Sequence, residues 1–433
     1  MPTSGPVPPA PALFTDRYEL TMVAAALADG TADRDCVFEV FARRLPHGRR
    51  FGVLAGTGRL LEMLPHFRFG DDELATLRAQ GLTDARLLDR LADFRFSGDI
   101  DGYAEGDLYF PGSPVLTVRA PFAEGVLLET LALSVLNHDS AIASAAARMV
   151  AAAGERPCIE MGSRRTHEEA AVAAARAAYL VGFATSSNLE AGRRYGVPTS
   201  GTSAHAFTLL HDDERSAFQA QVDTLGPGTT LLVDTYDVDQ GIRTAVEVAG
   251  PDLGAIRLDS GDLPTLATHA RELLDSLGAT RTRIVVTSDL DEYAISGLMA
   301  APVDRYGVGT SLVTGSGAPT AGMVYKLVER DGVPVAKKSE DKVSIGGRKN
   351  AVRRHDADGV ALAEVVSSEP IASRSGDRDL VVPLVRAGSL CTGATPADAL
   401  QTARQHHQLA REALPPEGWA LSRGEPALET IDR

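Results

Sequence analysis

The sequence predicts an α/β fold, an irregular or closed α/β barrel, with a smaller β-rich domain ahead of it. Three observations carry that prediction. From Pro157 to about residue 330, short apolar strands alternate with helical patterns. Their starts lie roughly 20 to 30 residues apart, the length of one βα repeat. Each strand ends in a polar or glycine-rich cluster. Some seven or eight such units suit a barrel better than an open doubly wound sheet, and a barrel gathers its strand ends on one face.

Taken in order, residues 1–12 read as a Pro-rich disordered lead without the basic and apolar regions of a secretory signal. LFTDRYELTMVAAALADG predicts a helix capped by Thr15 or Asp16, with Glu19 at the capping-box position if Asp16 is the cap. Tyr18 falls in its first turn, where an aromatic is core or lies over a ligand. CVFEVFARRLP, residues 36–46, has the β-branched and aromatic alternation of a strand. The GTG at 56–58 is not a phosphate loop, because the lysine of that pattern is missing. Residues 93–124 hold short strands punctuated by Gly and Pro, which sets an N-terminal β-rich domain at 13–124. A long apolar helical run then extends from Gly125 to Gly154 and suits a buried position between layers or subunits.

The barrel is expected over 125–335, with a C-terminal segment at 336–433. That segment opens with a charged, Gly-punctuated hairpin region, returns to strand character in ALAEVVSSE and DLVVPLVRAGSL, and ends in a polar helix. His406 and His407 on that helix read as surface residues, since two adjacent histidines without a carboxylate at ligand spacing do not build a metal site.

Composition narrows the function. The 433 residues are 44% hydrophobic and 23% charged, with a formal charge of −15 and no basic stripe. Nucleic acid is excluded on that ground, because backbone binding needs clustered Lys and Arg. No run of about 20 apolar residues is present, so no membrane segment is expected. Cys36, Cys158 and Cys391 are widely spaced, which points to a reducing, cytoplasmic setting and away from a disulfide framework or zinc knuckle.

The strand ends carry the chemistry. SGTSAHAFTLLH places His205 at the start of a helix, with Thr202 and Ser203 supplying hydroxyls just before it. A helix start with an imidazole suits a phosphate, either as a contact or as a nucleophile that accepts one. Arg164, Arg165 and Arg257 can neutralise phosphate or carboxylate groups. In RLDSGD, Asp259 and Asp262 flank Ser260 and Gly261 and can chelate a ribose diol or hold a divalent ion. Ser288 and Asp289 repeat the theme one strand later. Gly309 and Thr310 open a loop of small residues and hydroxyls, the composition of a phosphate-holding loop. Asp234 ends the strand TTLLVD. No G-x-S-x-G elbow, H-E-x-x-H or dinucleotide fingerprint occurs, so hydrolase, metalloprotease and dehydrogenase readings fall away.

The runs LFTDRYELTM, FEVFARRLP, EMGSRR, GTSAH, LLVDTYD, RLDSGD, TSDLDE, YGVGTSLVTG and VYKLVE together resemble the nicotinate phosphoribosyltransferase family. The resemblance implies an irregular α/β barrel of the type II phosphoribosyltransferase kind, packed against a β-rich domain assembled from N- and C-terminal segments. It also implies a homodimer with active sites at the subunit interface. The implied reaction forms nicotinate ribonucleotide and diphosphate from nicotinate and 5-phosphoribosyl diphosphate, coupled to ATP hydrolysis through phospho-His205, with Mg²⁺ as the metal.

By the same resemblance, Arg165 meets the nicotinate carboxylate, with Arg164 beside it, and Tyr18 is lent to the base pocket by the partner subunit. Arg257, Asp259, Ser260, Gly261 and Asp262 meet ribose and diphosphate, with Ser288 and Asp289 beside them, Asp289 being the candidate metal ligand. Gly309 and Thr310 grip the 5′-phosphate, and Asp234 orients His205. The sequence departs from the pattern at Thr166-His167, which leaves the choice of pyridine open. The rival readings are a same-fold enzyme for nicotinamide or quinolinate, a sugar-phosphate lyase or isomerase with Lys326 as its Schiff-base candidate, and an inactive ligand sensor.

Overall fold

The computed structural model describes residues 11–337 and 345–432. They form two compact units, Ile142–Pro319 and a second drawn from Met1–Ala141 and Thr320–Arg433. These divisions replace the expected boundaries at 125 and 335: one falls inside the helix Glu129–Ala153, the other just ahead of the strand Met323–Arg330.

The unit Ile142–Pro319 is built on six parallel strands. Their order is Thr185–Ser186, Cys158–Glu160, Arg305–Val308, Arg283–Val286, Ala255–Leu258, Thr230–Leu232. Spatial neighbours are neighbours in the chain, except that the last strand returns to pair with the first through Tyr306 and Cys158. Beyond Thr185–Ser186 a single parallel bridge joins Ser186 to Thr199. Among the described residues nothing pairs across the gap from Thr199 to Thr230.

The result is an irregular α/β fold with a curled parallel half-barrel rather than seven or eight paired strands. The expected strand around VPTSGTS shrinks to one bridge, because Pro198 has no N–H to give a ladder. Ile284, Val285 and Val286, and likewise Tyr306, Gly307 and Val308, are buried in succession, as strands covered on both faces require. Asn188, Asp213, Asp237 and Asp262 each cap the helix that follows with a side-chain oxygen.

The other unit is a mainly antiparallel assembly of both chain ends, Ala361–Ser367 and Glu429–Asp432 being paired parallel. Its main sheet runs Val333–Pro334, Met323–Arg330, Asp35–Ala42, Leu116–Pro121, Asp99–Tyr103, Val381–Arg386, Ser389–Leu390. A four-strand sheet adds Arg378–Asp379, Asn350–His355, Ala361–Ser367 and Glu429–Asp432. In Asp35–Ala42, alternation sends Cys36, Phe38, Val40 and Ala42 to the core. Phe38 stacks on Tyr325 with ring centroids 5.0 Å apart. Gly125 has to be glycine, since a Cβ there would lie 2.4 Å from the Phe38 ring.

Several expectations are corrected here. Met323–Arg330 is not a barrel strand: it pairs antiparallel with Asp35–Ala42, so Lys326 stands in this sheet and not among the barrel strand ends. Its alternating apolar residues fit either partner, and pairing alone decides. Pro11 and Ala12, expected in the disordered lead, are buried in a 3-10 turn with Leu13, while residues 1–10 lie outside the described residues. Part of the charged hairpin region, 338–344, lies outside them too. Glu19 makes no capping box. It is fully buried and accepts hydrogen bonds from the Thr130 amide at 3.0 Å and from the Thr130 and Thr15 hydroxyls. Burial pushes its carboxyl up to about 7.

Of the two C-terminal histidines expected at the surface, His407 is buried and His406 is half-buried. His407 is buried with Nδ1 at 2.9 Å from the Gly106 carbonyl, and burial lowers it to about 4. His406 Nε2 stands 3.0 Å from Asp107 Oδ2. Asp107 is the hub of a buried ionic network: Arg353 Nη1 donates to it at 2.6 Å and Arg378 Nη1 at 2.7 Å. Arg353 Nη2 also donates to Glu364 at 2.7 Å, as does the Tyr103 hydroxyl. Burial alone would raise the Asp107 carboxyl, but Arg353, His406 and Arg378 override it and hold the group well below the usual carboxylate range.

Removing one cation from such a network strands buried carboxylates. Arg353→Met is therefore expected to cost roughly 3–5 kcal/mol, read as a fall in Tm by calorimetry. A depressed carboxyl contributes stability above its unfolded value and loses it as pH falls toward the folded one. With Arg353 gone the acid limb of the Tm–pH curve should move to higher pH. An unchanged limb would show that Arg353 does not hold Asp107 ionised.

Candidate active site

Parallel strands deliver their C-terminal loops to one edge of the sheet, and nearly all the expected site residues sit in those loops. The exception is Tyr18, which belongs to the other unit. It lies half-exposed on the helix Arg17–Asp29, with its phenol raised by burial and by the Glu129 and Glu19 carboxylates.

Asp234 follows the strand Thr230–Leu232 and ties two loops together. Its Oδ2 accepts the Asp259 amide at 2.7 Å and the Ser260 hydroxyl at 3.0 Å. Its Oδ1 is buried and has no hydrogen-bond partner. That oxygen stands 3.9 Å from His205 Nε2, and Asp259 Oδ2 stands at the same distance from the same nitrogen. Asp259 Oδ1 accepts the hydroxyl of Thr287 from the next strand end. The other imidazole nitrogen, Nδ1, is 3.1 Å from the Thr235 hydroxyl. A ring held by a hydroxyl at one nitrogen and flanked by two carboxylates at the other can exchange a proton and take up a phosphoryl group.

His205 is the first residue of a helix ending at Leu210, and 40% of its side chain is exposed. The cap position is Ala204 and contributes no side-chain bond. Because the helix spans only 6 residues, its end offers little beyond local amides. Thr202, two residues earlier, accepts Arg257 Nη1 at 3.3 Å. Burial lowers Arg257 from the ordinary guanidinium range, and the Arg164 charge lowers it further against the opposing pull of Asp259 and Asp234. Arg164, Thr202, His205, Asp234, Arg257, Asp259 and Ser260 thus form one constellation.

The remaining residues divide. Gly162 is forced by packing, since a Cβ there would meet Val313 at 2.2 Å and the Gly309 carbonyl at 3.1 Å. This brings the Met161–Arg165 loop against Gly309. Arg165 is exposed, with no side-chain partner among the described residues. Asp262 is engaged as a helix cap, its Oδ2 accepting the Thr265 hydroxyl at 3.0 Å. Gly261, at φ 85°, takes the left-handed turn before it. Ser288 holds a φ of 141°, a strained value for a residue with a side chain, at the strand end beside Thr287. Asp289 is exposed, without a side-chain hydrogen bond among the described residues, and there no three His, Cys, Asp or Glu side chains are grouped to hold a metal on their own.

Three supporting residues escaped the sequence reading. Glu160 is buried and accepts the Gly162 amide and the Ser186 hydroxyl, bracing the arginine loop, and burial raises its carboxyl. Thr235 and Thr287 hold the imidazole and Asp259. Adjacency to Asp234 in LVDTYD and to Ser288 in VVTSD is the only sequence signal that Thr235 and Thr287 carry. The departure at Thr166-His167 is structural: His167 caps the helix Glu168–Leu180, its Nδ1 accepting the Glu169 amide at 3.3 Å.

Comparison with known proteins gives this geometry a lineage. The N-terminal domain model of nicotinate phosphoribosyltransferase matches residues 13–137. Nicotinate phosphoribosyltransferase pncB1 of Mycobacterium tuberculosis is 63% identical over 428 residues, covering 96% of this chain and 94% of that one. The Bacillus subtilis nicotinate phosphoribosyltransferase is 38% identical over 356 residues, covering 79% and 72%. The crystal structure of human nicotinic acid phosphoribosyltransferase superposes with a TM-score of 0.84 at 26% identity, covering 96% and 97%. Full-length identity of this order, with the fold to match, makes this chain a member of the nicotinate phosphoribosyltransferase family.

Proposed function

We propose that this protein joins nicotinate to 5-phosphoribosyl 1-diphosphate, giving nicotinate ribonucleotide and diphosphate, with ATP hydrolysis coupled through His205. The observation that supports it most is the constellation of His205, Asp234, Asp259, Arg257 and Arg164 at one sheet edge, in a chain 63% identical to a nicotinate phosphoribosyltransferase. The pyridine nitrogen attacks C1 of the sugar as the bond from C1 to the diphosphate oxygen breaks. Positive charge develops on the ring and negative charge on the leaving group. Arg164 and Arg257 neutralise the diphosphate, and Asp259 with Ser260 orients the ribose. Gly309 and Thr310 take the 5′-phosphate through close backbone approach. Pyridine needs no general base, so positioning and charge do the catalytic work.

In the coupled cycle, a nitrogen of His205 attacks the γ-phosphorus of ATP and ADP leaves. Water later cleaves the P–N bond and releases phosphate. A phosphoryl group beside Asp234 and Asp259 meets two carboxylates, and this repulsion reorganises the strand-end loops and alters affinity for the sugar phosphate. The unpartnered Asp234 Oδ1 and the exposed Asp259 edge are hard oxygen donors of the kind Mg²⁺ takes together with substrate phosphates. Those two residues fit the ion better than Asp289; when bound it supplies charge neutralisation.

The base pocket is completed by Arg165, which faces the nicotinate carboxylate, and by Tyr18 from a second copy of the chain. Leu189, Leu209, Leu210 and Tyr236 are exposed beside the site loops, as a homodimer interface there would explain.

The decisive assay is diphosphate release from nicotinate and phosphoribosyl diphosphate, with and without ATP. His205→Ala should abolish ATP consumption and the ATP-dependent gain in turnover while leaving a weak uncoupled reaction. Retained coupling in that variant would remove the phosphohistidine from the mechanism.

Arg165→Ala should lower kcat/KM for nicotinate by about 2 kcal/mol or more, roughly 30-fold, and leave the poor turnover of nicotinamide nearly unchanged. Equal losses for acid and amide would take the carboxylate contact away from Arg165.

A further inference from the structure

The opposite end of the parallel sheet carries a second feature that the reaction does not use. A cavity of about 330 Å³ opens there, lined by Thr230, Ala255, Arg283 and Arg305 and, from the segments leading into three of those strands, by Gly228, Gly254, Arg281 and Asp252 among others. Each of those four is the first residue of its strand. The register aligns them: Thr230 pairs with Ala255, Ala255 with Arg283, and Arg305 with Val285, two residues along from Arg283. Paired residues, and residues two apart on one strand, point to the same face of a sheet. Arg283 and Arg305 therefore project from neighbouring strands into the same space.

Neither guanidinium has a hydrogen bond or ion pair among the described residues. Their neighbours do. Arg281, at the rim, pairs with Asp252. Asp304, adjacent to Arg305, turns its Oδ2 to the Ile284 amide at 2.7 Å instead. In a chain with a formal charge of −15, two like charges stand on adjacent strands with no carboxylate given to either, an arrangement that repels. The floor is bare backbone, since Gly254 packs so tightly that a Cβ would lie 2.0 Å from the Gly228 carbonyl. Two forked cations converging over exposed backbone match the oxygens of a phosphate group, and the space admits a ligand larger than a single ion.

We propose that this N-terminal mouth of the sheet is a second anion site, taking a small phosphate-bearing molecule between Arg283 and Arg305. It is separate from the strand-end site, which lies at the other end of the same strands. Inorganic phosphate, diphosphate and a nucleoside triphosphate share the chemistry that these arginines read.

Equilibrium dialysis with labelled diphosphate counts the sites. The purified wild-type protein should bind one more diphosphate per chain than the variant carrying Arg283→Ser and Arg305→Ser, whatever the total. The variant's kcat should stay within about twofold of wild type. Carrying Arg283→Lys and Arg305→Lys instead should restore the extra site with weaker affinity. Equal stoichiometry in wild type and the serine variant would overturn the proposal. If the serine variant does not fold, wild-type crystals soaked in diphosphate decide: density between the two guanidiniums supports the site, and an empty mouth overturns it. Parallel dialysis with inorganic phosphate and with ATP shows which phosphate source the site prefers.

Discussion

One carboxylate fixes the geometry on which the rest of the strand-end site depends. Asp234 uses Oδ2 to hold the Asp259 amide and the Ser260 hydroxyl, which sets the path of the RLDSGD loop. Asp259, placed by that tie, is then caught by Thr287 of the next strand end. Three consecutive strand ends are thereby linked through side chains before any substrate arrives. The same carboxylate keeps Oδ1 dry and unpaired beside His205. A buried polar atom in that condition costs about 1–3 kcal/mol. Such a cost persists where a ligand or a transferred group later satisfies the atom, which is why an orphaned oxygen is informative at a strand end.

Buried acids elsewhere in the chain are treated differently. Asp107 and Glu364 are surrounded by donors from Arg353, Arg378, Tyr103 and His406. Glu19 and Glu160 accept from amides and hydroxyls. Those groups assemble structure, joining the two chain ends into one unit or bracing a loop. Glu214 is the instructive intermediate. One of its oxygens is buried without a partner, and burial, with the charges of Asp237 and Asp234, pushes its carboxyl up to about 7. Negative charge is thus crowded around Asp234, and the guanidiniums of Arg257 and Arg164 are what the site sets against it.

Much of this was legible in the sequence because strand ends announce themselves. An apolar run followed by Asp, Ser-Gly or Arg-Arg is a local signal, and His205, Asp234, Arg257 and Asp259 were placed together on it. What escaped was decided by partners distant in sequence. Met323–Arg330 has an alternation that satisfies a barrel strand or a sheet with Asp35–Ala42 equally well, and only the pairing tells them apart. His407 looks like any polar helix residue until the Gly106 carbonyl covers it. Glu19 has the spacing of a capping box, yet besides the nearby Thr15 hydroxyl its donors are the amide and hydroxyl of Thr130, more than 100 positions away. The gap between Thr199 and Thr230 was equally invisible, since the repeat length continues unbroken across it.

The curled sheet also explains why arginines recur at both of its ends. Arg257 and Arg164 lie close enough for one charge to depress the other, at the edge where the strands finish. Arg283 and Arg305 stand where two strands begin, aligned by the register on one face. At the strand starts the register sets Arg305 opposite Val285, two residues along from Arg283, with no loop between to arrange them. Arg164 instead reaches Arg257 from the loop Met161–Arg165, its strand Cys158–Glu160 standing three places away from Ala255–Leu258 in the sheet. Holding like charges together disfavours the empty protein. The same proximity becomes favourable once a phosphate with two or more negative charges spans the pair. Like-charge pairing at the two edges of the sheet thus concentrates positive potential within a strongly acidic chain.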